Sequence, residues 1–227
     1  MTRRILSQFT GCLLTPQYWA LGREDRIGFW ADLTAALARA AQAVYYYQVF
    51  PARTDTDFMF WSSIEADGNE AFDRFFDGLG RALGRFRGMV EPKIALWGYT
   101  RPSVYAPAGR STQDIDPFAP ERERYLVVYP FSKTTDWYLM SKDARQGMMN
   151  EHIRLGRQFE EVKQLLLYCT GLQDQEFVVA YETPDLVRFS ELVVALRSTD
   201  ARRYTLRDTP ILTGFYRLPD DLAGIFS

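Results

Sequence analysis

The feature that most constrains this chain is an order of elements that occurs twice. Read by hydrophobic period, residues 5–14 are strand-like. Residues 24–42 are helix-like, with Ile27, Trp30, Leu33, Leu37 and Ala41 at helical spacing. Residues 44–49 and 57–64 are strands by their β-branched and aromatic content. A helix over 69–87 carries Phe72, Phe75, Phe76, Leu79, Leu83 and Phe86 on one stripe, and a strand follows over 93–99. After a break the plan recurs. The second half has a strand at 125–131, a helix at 143–159, strands at 162–169 and 176–182 around a turn at 171–174, a helix at 184–197 and a strand at 210–216. Each half reads β-α-β-β-α-β.

That order is the ferredoxin-like split βαβ unit. The expectation is an α+β fold of two such halves, 1–100 and 125–227, each an antiparallel sheet under its own helices. Strands that are apolar on both faces must also pack on both faces. Residues 101–124 join the halves and contain Pro102, Pro107, Pro117 and Pro120. The stretch is long for a plain connection, and its length would allow a lid. A hydrophobic fraction of 47% supplies the core. Lys and Arg number 27 against 29 Asp and Glu, so the net charge of −2 offers no footprint for nucleic acid. No apolar run approaches the roughly 20 residues of a membrane helix. The N-terminus lacks the apolar core of a secretory signal, so a cytoplasmic location is expected. Cys12 and Cys169 both sit in apolar runs, as buried free thiols do.

The chain has one histidine, His152, which excludes a three-histidine or HExxH metal site. Met148, His152, Leu155 and Phe159 recur on one face of the helix over 143–159. Such an imidazole is either a satisfied core histidine or an axial ligand to haem iron. In the strand over 125–131, Tyr125, Val127, Tyr129 and Phe131 share one face. Tyr129 lies beside Pro130 and near Lys133, so it is either a core aromatic or a redox-active or acid–base phenol. Gln164 shares its face with Val162, Leu166 and Tyr168. A buried amide needs a partner, which is backbone, water or a ligand held over the sheet.

Four stretches in order, YPFSKTTDWYLM (129–140), MNEHIRLGRQF (149–159), LLYCTGLQDQEF (166–177) and ALRSTDARRY (195–204), resemble the chlorite dismutase family. That family includes the coproheme decarboxylases of bacterial haem synthesis. The resemblance implies that the two halves form a dimeric α+β barrel with the haem on the C-terminal half. It leaves the N-terminal half to architecture and subunit contacts, commonly in a homopentamer. His152 matches the proximal iron ligand. Gln164 matches the distal position, where the chlorite-degrading branch carries an arginine. Tyr129 matches a tyrosine used as a radical relay, Lys133 a lysine near the reacting propionate, and Arg197 an arginine near the porphyrin carboxylates. Phe131 and Trp137 fall in the same matched stretch as porphyrin contacts, although a methionine often stands where Phe131 does. A serine common after the arginine has no clear match in Asp200–Ala201–Arg202. An upstream arginine is also expected, and Arg110, Arg122 and Arg124 are its candidates. The implied activity is oxidative decarboxylation of iron coproporphyrin (coproheme) to haem b, with hydrogen peroxide as co-substrate. The alternatives are a chlorite-converting enzyme and a non-catalytic haem-binding protein.

Overall fold

The computed structural model describes residues 4–68, 70–103, 105 and 112–227. The first half comprises β1 (Ile5–Leu14), α1 (Pro16–Trp19), α2 (Arg23–Ala40), β2 (Ala43–Gln48), β3 (Phe58–Glu65), α3 (Glu70–Gly84) and β4 (Val90–Tyr99). The second comprises β5 (Tyr125–Lys133), α4 (Thr135–Leu139), α5 (Lys142–Gly156), β6 (Lys163–Tyr168), β7 (Phe177–Thr183), α6 (Leu186–Arg197), β8 (Thr205–Arg207), β9 (Leu212–Arg217) and α7 (Pro219–Phe226). A 3₁₀ turn spans Asp200–Tyr204. The repeated order holds, and the sequence reading missed only short elements: α1, α4, α7, β8 and the 3₁₀ turn. They are too brief to show a hydrophobic period.

The two sheets are joined into one, as the barrel implied by the resemblance requires. The strands run β7-β6-β4-β1-β3-β2-β9-β5, and β5 pairs back onto β7, so eight strands close a barrel, with β8 appended to the end of β5. Closure removes the free edges that two open sheets would leave. It also explains the strands' two apolar faces. On β3, Met59 and Trp61 point into the barrel, while Phe58 and Phe60 point outward under the helices. On β7, Val178 and Ala180 point in, while Val179 and Tyr181 point out.

The halves meet at two seams, and each seam has a glycine where a side chain would not fit. At β4–β6 the strands pair only at Tyr99 and Tyr168. A Cβ on Gly98 would lie 2.8 Å from the Tyr168 carbonyl oxygen and 3.0 Å from the Leu167 Cβ. At β2–β9, a Cβ on Gly214 would lie 2.7 Å from that of Tyr47. The obstacle at Gly98 is backbone, which cannot rotate away. Gly98→Ala should therefore destabilise the fold by about 1–3 kcal/mol, measured by urea unfolding. An unchanged midpoint would show that the seam tolerates a wider spacing.

Inside the barrel mouth lies a buried ion pair. Arg122 Nη1 and Glu182 Oε1 are 3.4 Å apart, with side chains only 2% and 3% exposed. The guanidinium also stacks 4.6 Å from the Tyr45 ring centroid and 5.2 Å from that of Trp61. Burial pushes the Glu182 carboxyl up to about 7, against the pull of Arg122 and Lys163. The folded chain then holds this proton more tightly than the unfolded chain. Its stabilising effect is full below the unfolded carboxyl value of 4.5 and is lost as pH rises from there to about 7. Glu182→Gln should keep an acceptor oxygen beside Arg122 while removing the titrating carboxyl. It should also flatten the decline of stability between pH 5 and 8 by on the order of 3 kcal/mol, read from urea unfolding at each pH. An identical slope in both proteins would count against the raised value.

Both cysteines are free and buried, as expected. Among the described residues, no helix is long and apolar enough to cross a membrane.

Candidate functional site

The two halves share a plan but fill it differently. Outside the N-terminal strands, α2 buries Trp30, Leu33 and Leu37, and α3 buries Phe75 and Leu79. Outside the C-terminal strands, α5 buries no residue completely and α6 buries only Leu192. The main packing partners of α5 are α6 and the 3₁₀ turn. The outer face it overlooks is aromatic, with Phe131 stacked on Phe177 at 4.7 Å and Tyr129 stacked beside Tyr181 at 6.0 Å.

His152 is half-buried on α5. Ser141 caps the start of that helix by accepting from the Ala144 amide. The imidazole Nδ1 is buried and has no hydrogen-bond partner among the described residues. Burial, reinforced by the nearby Lys133 ammonium, pushes its pKa down to about 4. The ring is therefore neutral at physiological pH, which is the form that binds a metal. The described residues leave Nδ1 without the partner that a satisfied core histidine would have.

Lys133 closes β5. Its backbone N–H donates to Glu176 Oε2 at 2.7 Å, and its ammonium sits 4.5 Å from the Trp137 ring centroid. Burial, with Arg202 adding repulsion, pushes the amine down to about 8. Trp137 is buried between Tyr105 and Tyr204, so the structure makes it a platform beneath Lys133. Burial also holds the Tyr129 phenol above its ordinary value, while a hydrogen bond with Tyr181 and the nearby Arg197 and Arg202 oppose that rise. Arg197 and Arg202 both pair with the Asp208 carboxylate, Arg197 at 3.3 Å. Tyr129, Lys133, His152 and Arg197 are thus brought into one region.

Gln164 is exposed, on the same face of β6 as Leu166 and Tyr168, and it lies opposite Tyr181 of β7. The sequence reading treated it as a buried amide, and the structure corrects that point. Lys163 points to the other face, where its ammonium meets Glu123 at 3.0 Å. No guanidinium stands on β6.

Two of the three upstream arginine candidates lie elsewhere. Arg122 is locked inside the barrel mouth by Glu182, and Arg124 stacks 5.2 Å over the Tyr125 ring. Arg110 lies outside the described residues. The structure instead brings in Arg202 and Arg145. Arg145 lies two turns before His152 on the same helix face and carries a buried Nε without a partner among the described residues. That spacing was a readable signal. The approach of Arg202 to Tyr129 was not readable, because it depends on how the 3₁₀ turn packs.

These residues fit the iron porphyrin that the resemblance implied. A neutral imidazole with an unpartnered buried nitrogen suits the metal. Stacked rings suit a flat macrocycle, and Lys133, Arg197, Arg202 and Arg145 suit its carboxylates. Among the described residues, no group of three or more His, Cys, Asp or Glu side chains offers a site for a bare metal ion.

Comparison with known proteins agrees with the fold. The chlorite dismutase family model matches residues 26–217. The chain is 35% identical over 172 residues to a coproheme decarboxylase of Mycolicibacterium smegmatis, covering 74% of this chain and 70% of the relative. It is 24% identical over 210 residues to a chlorite dismutase of Ideonella dechloratans, covering 88% of this chain and 71% of that one. A crystal structure of a mutant chlorite dismutase from Candidatus Nitrospira defluvii superposes with a TM-score of 0.84 at 22% identity. That match covers 98% of this chain and 95% of the other, and it supports the fold alone. With this closed barrel, and with a family model that spans most of its length, the chain belongs to the chlorite dismutase family.

Proposed function

We propose that the protein is a haem-dependent enzyme that decarboxylates the propionates of iron coproporphyrin with hydrogen peroxide, giving vinyl groups and haem b. The carrying observation is the convergence, on one aromatic sheet face, of a neutral imidazole, a buried phenol and several cations. The name of the M. smegmatis relative supports the same reading. Each turn balances as one propionic acid side chain plus one peroxide going to one vinyl group, one carbon dioxide and two waters.

The bound iron porphyrin is both the substrate and the site where peroxide is reduced. The protein's residues do the rest. His152 holds the iron through its neutral ring. Arg197, Arg202 and Arg145 would bind carboxylates, offsetting the cost of bringing anionic groups against an apolar wall. Tyr129 is a protonated phenol at neutral pH, because burial keeps its pKa high. It can therefore give up an electron and a proton together, then take a hydrogen atom from a propionate side chain. Lys133, poised near pKa 8, can hold or accept a proton beside the departing carboxyl group. Gln164 places a neutral amide where the chlorite-degrading branch has a cation, which disfavours an oxyanion substrate.

The test is mass spectrometry of the porphyrin after mixing the protein with iron coproporphyrin III and titrated peroxide. Loss of two carboxyl groups through a singly decarboxylated intermediate is expected. Binding without mass loss would overturn the reading in favour of a haem carrier or another oxidant, and chlorite would be the next substrate to examine.

A further inference from the structure

The linker between the halves does more than connect them. Because β4 pairs with β6 at a single position, most of that edge of β6 is left without a strand partner from the N-terminal half. The linker fills part of the gap. The Gln164 amide donates to the Gln113 carbonyl at 2.7 Å, and the Ile115 amide donates to the Gln164 carbonyl at 3.0 Å. Asp114 forms a parallel bridge to Gln164.

The side chain of Gln113 reaches the other way. Its Nε2 lies 3.3 Å from the Gly156 carbonyl, 2.9 Å from that of Phe159 and 3.2 Å from that of Val162. Gly156 is the last residue of α5, one turn beyond His152. Backbone amides of Phe159 and Val162 already turn the chain at the Gly156 and Phe159 carbonyls, and the Gln113 amide group adds a side-chain tie to these two and to the Val162 carbonyl. A single residue therefore grips the helix that carries His152 with its side chain and the strand that carries Gln164 with its backbone.

We propose that Gln113 is a positioning residue that holds α5 at a fixed separation from β6, and so sets where His152 stands relative to Gln164. These hydrogen bonds go to backbone groups at the end of α5 and on β6, so Gln113 would act through them. Its consequence for catalysis rests on the function proposed above, but the clamp itself does not.

Two variants test it. Gln113→Glu keeps the length but replaces the donor with a carboxylate that repels the three carbonyls. Gln113→Asn keeps the donor and shortens its reach. In the protein without porphyrin, amide hydrogen exchange over residues 153–162 should accelerate by about tenfold or more in Gln113→Glu, with the N-terminal half unchanged. Gln113→Asn should fall between Gln113→Glu and the wild type. In protein loaded with iron coproporphyrin III, cyanide affinity at the iron should change by about tenfold, and kcat should fall with KM little altered. Wild-type exchange rates over 153–162 in both variants would overturn the clamp. Faster exchange with wild-type cyanide affinity and kcat would overturn the positioning role and leave only local stability. Should the wild-type protein fail to bind the porphyrin, the proposed function fails, and the exchange measurement alone decides the clamp.

Discussion

Tyr129→Phe should bind iron coproporphyrin within about threefold of the wild-type affinity and lose decarboxylation by about three orders of magnitude, a barrier rise of about 4 kcal/mol. The asymmetry follows from where the hydroxyl lies. The ring is part of the stacked outer face with Tyr181, and phenylalanine preserves that contact. In the proposed reaction the phenol oxygen gives up a proton and an electron, and phenylalanine has no such group. Binding by the surrounding cations does not depend on it. Stopped-flow absorbance for binding and mass spectrometry for product separate the two effects. Wild-type turnover in Tyr129→Phe would assign the hydrogen-atom transfer to another residue, and Tyr181, stacked against Tyr129, would be the next to examine.

His152→Ala should weaken iron–porphyrin binding by on the order of 100-fold or more and shift the Soret band, since loss of an outer-shell partner alone costs 10–100-fold at metal sites. No second imidazole exists to substitute, because His152 is the only histidine in the chain. Removing the ring also removes a buried nitrogen that has no partner among the described residues, so the porphyrin-free variant should be no less stable than the wild type. Added imidazole should restore the spectrum by entering the vacated space. An unchanged Soret band in His152→Ala would remove the residue from the iron. A stability loss of several kcal/mol without porphyrin would return it to the core.

Much of the candidate site was legible in the residues because its chemistry is local. The spacing of Met148, His152 and Leu155 fixes one face of a helix whichever way that helix is later packed. The alternation along β5 and β6 separates Tyr129 from its neighbours and sends Lys163 away from Gln164, as the structure shows. The exposure of Gln164 was not legible, because an apolar neighbourhood in sequence does not say whether a helix covers that face. Choosing among Arg110, Arg122 and Arg124 was likewise beyond spacing. Arg122 looks as available as any other linker arginine until Glu182, 60 residues away, is found buried against it.

The sequence by itself determined the two repeated halves, the strand faces and the helix face that carries His152, because each depends on periods of two or 3.6 residues within one element. The resemblance implied a barrel, and only the tertiary structure decided which strands close it, with Gly98 and Gly214 admitting the seams and Gln113 bridging the gap beside β6. The physical reason is that pairing between distant strands is set by backbone approach and by which unsatisfied carbonyls and amides meet. A local period carries no information about either.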